Sequence, residues 1–181
     1  MKDILEKPRQ TASAMAGMDG TVESQRTADL ARILEGNPIL DAYLLNYLAN
    51  SYVGPLLKIV ESQAGLTRPE WIVVFCLSQH EGLNAQQISD VTGRAKSSIS
   101  HAIKLLEKKN FLRRMPDLID GRRQVLRLTG DGQKAYQGII GYFQDRERKM
   151  LACLDATEKS VFRDLMFKLA GNVERWGRSD Q

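Results

Sequence analysis

The chain has 181 residues, 43% of them apolar and 27% charged, with a formal net charge of +4. That size and balance suit one packed domain or slightly more and exclude wholesale disorder. The longest unbroken apolar run, Trp71 to Leu77, is far shorter than the roughly 20 residues a membrane helix needs, and no apolar block near the start has the length of a secretory signal, so a cytoplasmic location is expected. Two cysteines, Cys76 and Cys153, and two histidines, His80 and His101, exclude a disulfide scaffold and a cysteine-based zinc finger, and no metal site or cofactor is expected.

The charge is unevenly placed. Between Asp90 and Arg127 ten Lys/Arg face four acids, so this window carries +6 and the rest of the chain −2. A basic segment in a slightly acidic chain is the footprint of a nucleic-acid contact, although a solvated helix face followed by a charged loop has the same composition.

In chain order, residues 1–37 read as an N-terminal arm with a short helix over 22–35, which Gly36-Asn37-Pro38 stops. An apolar-rich segment from Ile39 to about Val60 reads as a helix bent or broken at Gly54-Pro55, because proline lacks a backbone donor and crowds the preceding turn. Thr67-Arg68-Pro69-Glu70 is a capping box, and the Trp71–Leu77 run behind it predicts a helix buried almost all round. Asn84, with Gln87 three residues on, caps a short helix expected to point Ile88 and Val91 inward. Thr92-Gly93 makes a turn. A second helix over about Lys96–Lys109 then puts Ile99, Ala102, Ile103 and Leu106 on one face and Ser97, Ser100, His101, Lys104 and Lys108 on the other. A short helix, a glycine turn and a longer helix with a small, polar, basic outer face form the helix-turn-helix pattern. Asn110 ends that helix where glycine often stands.

Phe111–Met115 and Gln124–Leu128 are strand-length, and Leu126 and Leu128 alternate with Val125 and Arg127. They flank a long basic tip containing Asp120-Gly121-Arg122-Arg123, which reads as a wing. Thr129 caps a helix to about Met150, and a last helix is expected from about Ala156 to Trp176. The expected fold is mainly α with a small β-hairpin wing.

A helix of this kind fits the major groove. Ser97, Ser98 and Ser100 are short and allow close approach, His101 and Lys104 reach base edges or phosphates, and Lys96 is a further candidate for contact with DNA. At the wing tip Asp120 can orient Arg122 for the narrow minor groove. Cys76 reads as a buried inert thiol, and Cys153, between helices, as a more exposed one open to a redox role. A glycine-rich phosphate loop, a nucleophile elbow, HExxH and a paired-carboxylate site are all missing from the sequence, so no catalytic residue is expected.

Leu66 to Tyr136 resembles the winged helix-turn-helix core of the MarR family of bacterial transcriptional regulators. The most specific match is Asp120-x-Arg122 followed by Leu128-Thr129, the family's wing signature Asp-x-Arg-x5-Leu-Thr. Leu66-Thr67-x-x-Glu70-Trp71, Leu106-Glu107-Lys108-Lys109 and an Asp-x-Thr-Glu start at Asp155 support it, and the resemblance covers about residues 38–176. It implies a homodimer built by residues 38–66 and 129–181 around DNA-binding cores at 67–128, on a near-palindromic double-stranded operator. Arg113, Arg114, Lys104 and Arg123 are then candidates for phosphates.

The resemblance further implies a small-molecule effector, often an aromatic acid or its thioester in relatives, in a cleft for which Tyr43, Asn46, Tyr47, Ser51 and Trp71 are candidates alongside core or interface roles. Ser100-His101 stands where the family commonly has Thr-Arg, which leaves the base contacts open. The N-terminal cysteine of peroxide-sensing relatives and the histidine ligands of zinc-sensing ones are missing. A winged-helix interaction module without DNA binding, and a thiol sensor acting through Cys153, are the alternative readings.

Overall fold

The computed structural model describes residues 22–116 and 124–177, with backbone alone for residues 22 and 23. The expected wing tip, including Asp120, Arg122 and Arg123, lies outside the described residues, as does the start of the arm. The chain divides into two units, Met1–Asn50 and Ser51–Gln181.

In the first unit α1 (Val22–Leu34) ends before Gly36, and α2 (Leu40–Ala64) begins. The Asn37 side chain accepts from the Ile39 amide at 2.9 Å, fixing the short link between them.

In the second unit α2 continues to Ala64 without interruption, with Pro55 inside it. The break expected at Gly54-Pro55 is therefore absent, and the reason lies far along the chain. Pro55 has no N–H for the Ser51 carbonyl one turn back. The Arg146 guanidinium donates to that carbonyl instead, at 2.5 Å, and replaces the missing bond. Removing this donor by Arg146→Met costs about 1–2 kcal/mol in urea denaturation. In a Pro55→Ala background, where an amide is restored, the same substitution costs much less, and the cycle shows coupling of about 1 kcal/mol.

The helices α3 (Arg68–Gln79), α4 (Ala85–Thr92) and α5 (Lys96–Lys108) follow. β1 (Leu112–Pro116) pairs antiparallel with β2 (Gln124–Leu128), Leu112 opposite Leu128, and α6 (Gly130–Met150) leads to α7 (Ala156–Ala170). The core gathers Val60, Leu66, Val73, Val74, Leu77, Ile88, Ile99, Ile103, Leu106, Leu112, Leu126 and Ile139, all buried, so α3, α5 and the strands share one apolar centre. Burying each such side chain contributes about 1.5–3 kcal/mol before chain entropy is charged against it.

The helix starts follow their sequence signals. The Thr67 amide and hydroxyl both donate to the Glu70 carboxylate, at 2.7 and 2.8 Å. Asn84 and Gln87 cap α4 reciprocally at 3.0 and 2.9 Å, and Asp155 and Glu158 do the same for α7. The end of α5 is a Schellman motif. Asn110 is left-handed at φ 58°, its amide reaches the Glu107 carbonyl, and the Phe111 amide reaches that of Leu106. Gly132 allows a close approach at the start of α6, since a Cβ there would meet the Phe111 carbonyl oxygen at 2.0 Å.

Three further expectations are corrected. Val91 is 71% exposed. The inward face of α4 is Ile88 with Ser89, because the Ser89 hydroxyl turns in to the Arg94 carbonyl at 2.6 Å. The α3 run is not buried all round: Trp71, Val73, Val74 and Leu77 are buried, but Phe75 is exposed and Ile72 partly so. The last helix is not continuous to Trp176. It stops at Ala170, where Gly171 and Asn172 form a turn, and α8 (Val173–Trp176) is a separate short segment. Glycine weakens a helix interior, and the Asn172 side chain donates back to the Lys168 carbonyl at 2.7 Å.

Candidate nucleic-acid interface and adjoining cleft

Helix α5 is amphipathic because its apolar residues recur at one helical spacing. Ile99, Ala102, Ile103 and Leu106 are buried against the core. This fixes the rotation of the helix and leaves Lys96, Ser97, His101, Lys104 and Lys108 exposed on the other side, with Ser98 and Ser100 half-buried at its edges. The turn that orients α5 on α4 is also specified locally. Gly93 takes φ 63°, a conformation costly for other residues, and the Thr92 hydroxyl donates to the Ile88 carbonyl at 2.6 Å.

The wing is anchored at its base. The Leu126 amide donates to the Leu83 carbonyl at 3.0 Å and the Gly82 amide to Leu126 at 3.1 Å, tying β2 to the link between α3 and α4. On β1, Arg113 and Arg114 are both exposed. Arg114 is held by Glu107 through two contacts at 2.8 and 3.3 Å, and Arg127 on β2 by Glu81 at 2.8 Å.

Behind α5 lies a buried ion pair that sequence inspection passed over. The Glu70 side chain is 0% exposed and meets the Lys109 ammonium at 2.6 Å. The same ammonium donates to the Gly65 carbonyl at 2.8 Å. Burial pushes the Glu70 carboxyl up, but the bonds from Lys109 and Thr67 outweigh it and leave it below the ordinary glutamate value. The capping box signalled Glu70; nothing in the local pattern signalled a cation at position 109 as its partner.

A second feature is a cleft of about 370 Å³ between α2, α3 and α6, walled by Tyr52, Leu57, Trp71, Ile72, Phe75, Ile140 and Phe143, with Arg68, Gln144 and Glu147 as polar groups. Trp71 stacks on Phe143 with centroids 5.0 Å apart and on Tyr136 at 6.0 Å. The Tyr52 hydroxyl donates to the Phe143 carbonyl at 3.2 Å. Burial, and then the Glu147 charge, raise the Tyr52 phenol above its ordinary value, which keeps it a neutral donor. The size and the few polar groups fit a small-molecule site.

Of the residues expected at such a cleft, Trp71 lines it. Ser51 does not, and its carbonyl is taken by Arg146. Tyr43, Asn46 and Tyr47 belong to the first unit, where Tyr47 accepts from Arg26 at 3.5 Å and Asn46 from Asn50 at 3.1 Å. Tyr52, Phe75 and Phe143 were not anticipated. They come from three helices and carry no joint signal in the sequence.

Cys76 is half-buried, and burial pushes its thiol up, away from the reactive thiolate; Cys153 is exposed in the link between α6 and α7. Among the described residues no group of His, Cys, Asp and Glu is arranged to hold a metal ion, and no helix is long and apolar enough to cross a membrane.

Two helices joined by a glycine turn, with a two-stranded wing behind them, define a winged helix-turn-helix DNA-binding protein. Residues 66–123 match the profile of the MarR family. Over that stretch the chain is similar to this family of DNA-binding transcriptional regulators.

Among curated proteins it is 29% identical over 91 residues to the uncharacterized HTH-type transcriptional regulator YwaE of Bacillus subtilis, a match spanning 50% of this chain and 53% of that one. Among solved structures it resembles a MarR/EmrR family transcriptional regulator from Acinetobacter sp. ADP1, at 27% identity and a TM-score of 0.68 over 75% of this chain and 95% of that one. It also resembles the PcaV transcriptional regulator of Streptomyces coelicolor in complex with its natural ligand, at 25% identity and a TM-score of 0.59 over 76% of this chain and 94% of that one.

Proposed function

We propose that the chain acts in the cytoplasm as a homodimeric repressor, released from a near-palindromic operator by a small aromatic acid or aromatic acyl thioester. The observation that carries this reading is the outer face of α5, where Lys96, Ser97, His101 and Lys104 stand clear of the core. A helix presenting short polar and cationic side chains in this way fits the major groove. Ser98 and Ser100 flank the contact, Arg113, Arg114 and Arg123 take phosphates, and Arg122, oriented by Asp120, enters the minor groove.

The effector site is the aromatic cleft beside α3, a reading favoured by the likeness to a relative solved with its natural ligand. A ligand there is thermodynamically coupled to operator affinity, and the coupling is reciprocal. Residues 67–128 are the DNA-binding core, and 38–66 with 129–181 the dimerisation helices.

Dimerisation is supported by α7. It has no buried residue, and Val161, Phe162, Leu165, Met166 and Phe167 are all exposed on it, more apolar surface than a solvated helix carries. Phe167 is 69% exposed, so Phe167→Glu disturbs no internal packing. The variant elutes as a monomer in light-scattering chromatography and loses operator affinity; an unchanged dimer removes α7 from the interface.

The whole reading is tested by titrating the purified protein against DNA from around its own gene, with and without aromatic acids and their thioesters. Tight binding at one palindrome, released by one compound, is the expected result. Binding that no compound releases removes the effector from the account.

A further inference from the structure

The C-terminal end of α5 is tied to two elements outside the helix-turn-helix by a single side chain. Lys109 follows the last helical residue of α5. Its ammonium donates to the Glu70 carboxylate at 2.6 Å and to the Gly65 carbonyl at 2.8 Å. Gly65 is the left-handed residue, at φ 61°, that closes α2, and its own amide is bonded to the Glu61 carbonyl at 2.8 Å. Glu70 stands in the first turn of α3, where Thr67 donates to it twice. One ammonium thus joins the end of α2, the start of α3 and the end of α5.

Stability does not call for this arrangement. Breaking such a pair is costly, but replacing both partners with neutral groups often costs nothing, because desolvation offsets the attraction. What the pair adds is register. The buried face of Ile99, Ala102, Ile103 and Leu106 fixes how α5 is rotated. Apolar contact is non-directional, so it sets the placement of α5 along its neighbours less sharply than hydrogen bonds to two fixed acceptors do. The ammonium is committed to those acceptors behind the helix, which leaves DNA phosphates to the exposed Lys96 and Lys104.

We propose that Lys109 is a positioning residue for DNA recognition: by tying the end of α5 to the end of α2, it sets the separation of the two reading helices in the dimer, and so the half-site spacing that the dimer accepts. The proposal rests on α5 being the reading helix and α2 a dimerisation helix, and the test separates its failure from theirs.

The full-length variant Lys109→Met with Glu70→Gln removes the pair without stranding a buried charge, and its melting temperature stays near that of the unaltered protein. Fluorescence anisotropy follows binding to three duplexes: the site that the protein protects from hydroxyl radicals, the same site with one base pair inserted at its centre, and a scrambled sequence. The insertion moves the half-sites apart by about 3.4 Å and turns them by about 34°. It weakens binding by the unaltered protein on the order of tenfold or more. In the double variant this penalty falls to about threefold or less, while affinity for the scrambled duplex and the salt slope are unchanged. Glu70→Gln alone, which leaves Lys109 on Gly65 and within reach of water, lowers the penalty in the same direction and serves if the double variant does not fold. A penalty unchanged in these variants overturns the proposal. So does a flatter salt slope with equal losses on all three duplexes, which makes Lys109 a phosphate ligand. An unaltered protein indifferent to the insertion overturns it too, while DNA binding stands. If the unaltered protein is a monomer or binds no duplex, the reading on which the proposal rests falls, and the proposal with it.

Discussion

Replacing Lys109 with methionine lowers the stability of the protein by about 3 kcal/mol at neutral pH, a fall in melting temperature of about 6–12 °C for a chain of this size. The substitution keeps most of the aliphatic stem and removes the charge. What it strands is Glu70, whose side chain is 0% exposed while that of Lys109 is 36% exposed. Water can therefore reach the cation and cannot reach the carboxylate. The two bonds from Thr67 remain, which places the expected loss at the lower end of the range for breaking a buried pair.

The pH dependence carries the sign. In the native protein the Glu70 carboxyl lies below its ordinary value. The contribution of the pair is therefore complete above the unfolded glutamate value of about 4.3 and is lost as pH falls through the lower folded value. In Lys109→Met, burial acts without its main opponent and the carboxyl rises. A raised acid stabilises the fold at low pH and loses that contribution as pH rises. The deficit of the variant thus shrinks between pH 7 and pH 4, and urea denaturation at those two pH values measures it. A deficit independent of pH means the lysine contributes packing rather than charge.

The second large effect is on DNA. Lys96, Lys104 and Arg113 are exposed and outside the core, so replacing all three with alanine leaves the melting temperature within a degree or two. In the DNA-bound dimer proposed above, up to six cationic contacts to phosphates are then lost. Each contributes about 0.9 to the slope of log affinity against log salt, so the slope flattens by about five and affinity at 0.15 M salt falls on the order of a thousandfold or more. His101→Ala behaves differently: it keeps most of the slope and relaxes discrimination between operator and mismatched sites by about 1–3 kcal/mol at the affected base pair. Fluorescence anisotropy at several salt concentrations separates the two classes of contact.

Much of this fold is legible in the sequence because its signals are local. The caps at Thr67, Asn84, Thr129 and Asp155, the glycine turn at Gly93 and the left-handed Asn110 each depend on three or four neighbouring residues, and each forms as read. The spacing of Ile99, Ala102, Ile103 and Leu106 fixes which face of α5 is free. The failures have non-local causes. Pro55 does not break α2 because Arg146, remote in sequence, supplies the missing donor. Val91 is three residues from Ile88, a spacing that fits the inward face, but Ser89 takes the inward place through its bond to Arg94. The cleft assembles Tyr52, Phe75 and Phe143 from three helices, and only Trp71 among its aromatics was anticipated.

The most direct test of the account is a hydroxyl-radical footprint of the purified protein on DNA from around its own gene, at low salt. Two groove-reading helices related by a two-fold axis protect two segments on one face of the duplex, one helical turn or about 34 Å apart and symmetric about the palindrome. That pattern, lost in the Lys96, Lys104 and Arg113 triple variant, is the predicted result. Uniform cleavage across the fragment at 50 mM salt, with the protein folded and in excess, contradicts the assignment of α5 as a reading helix.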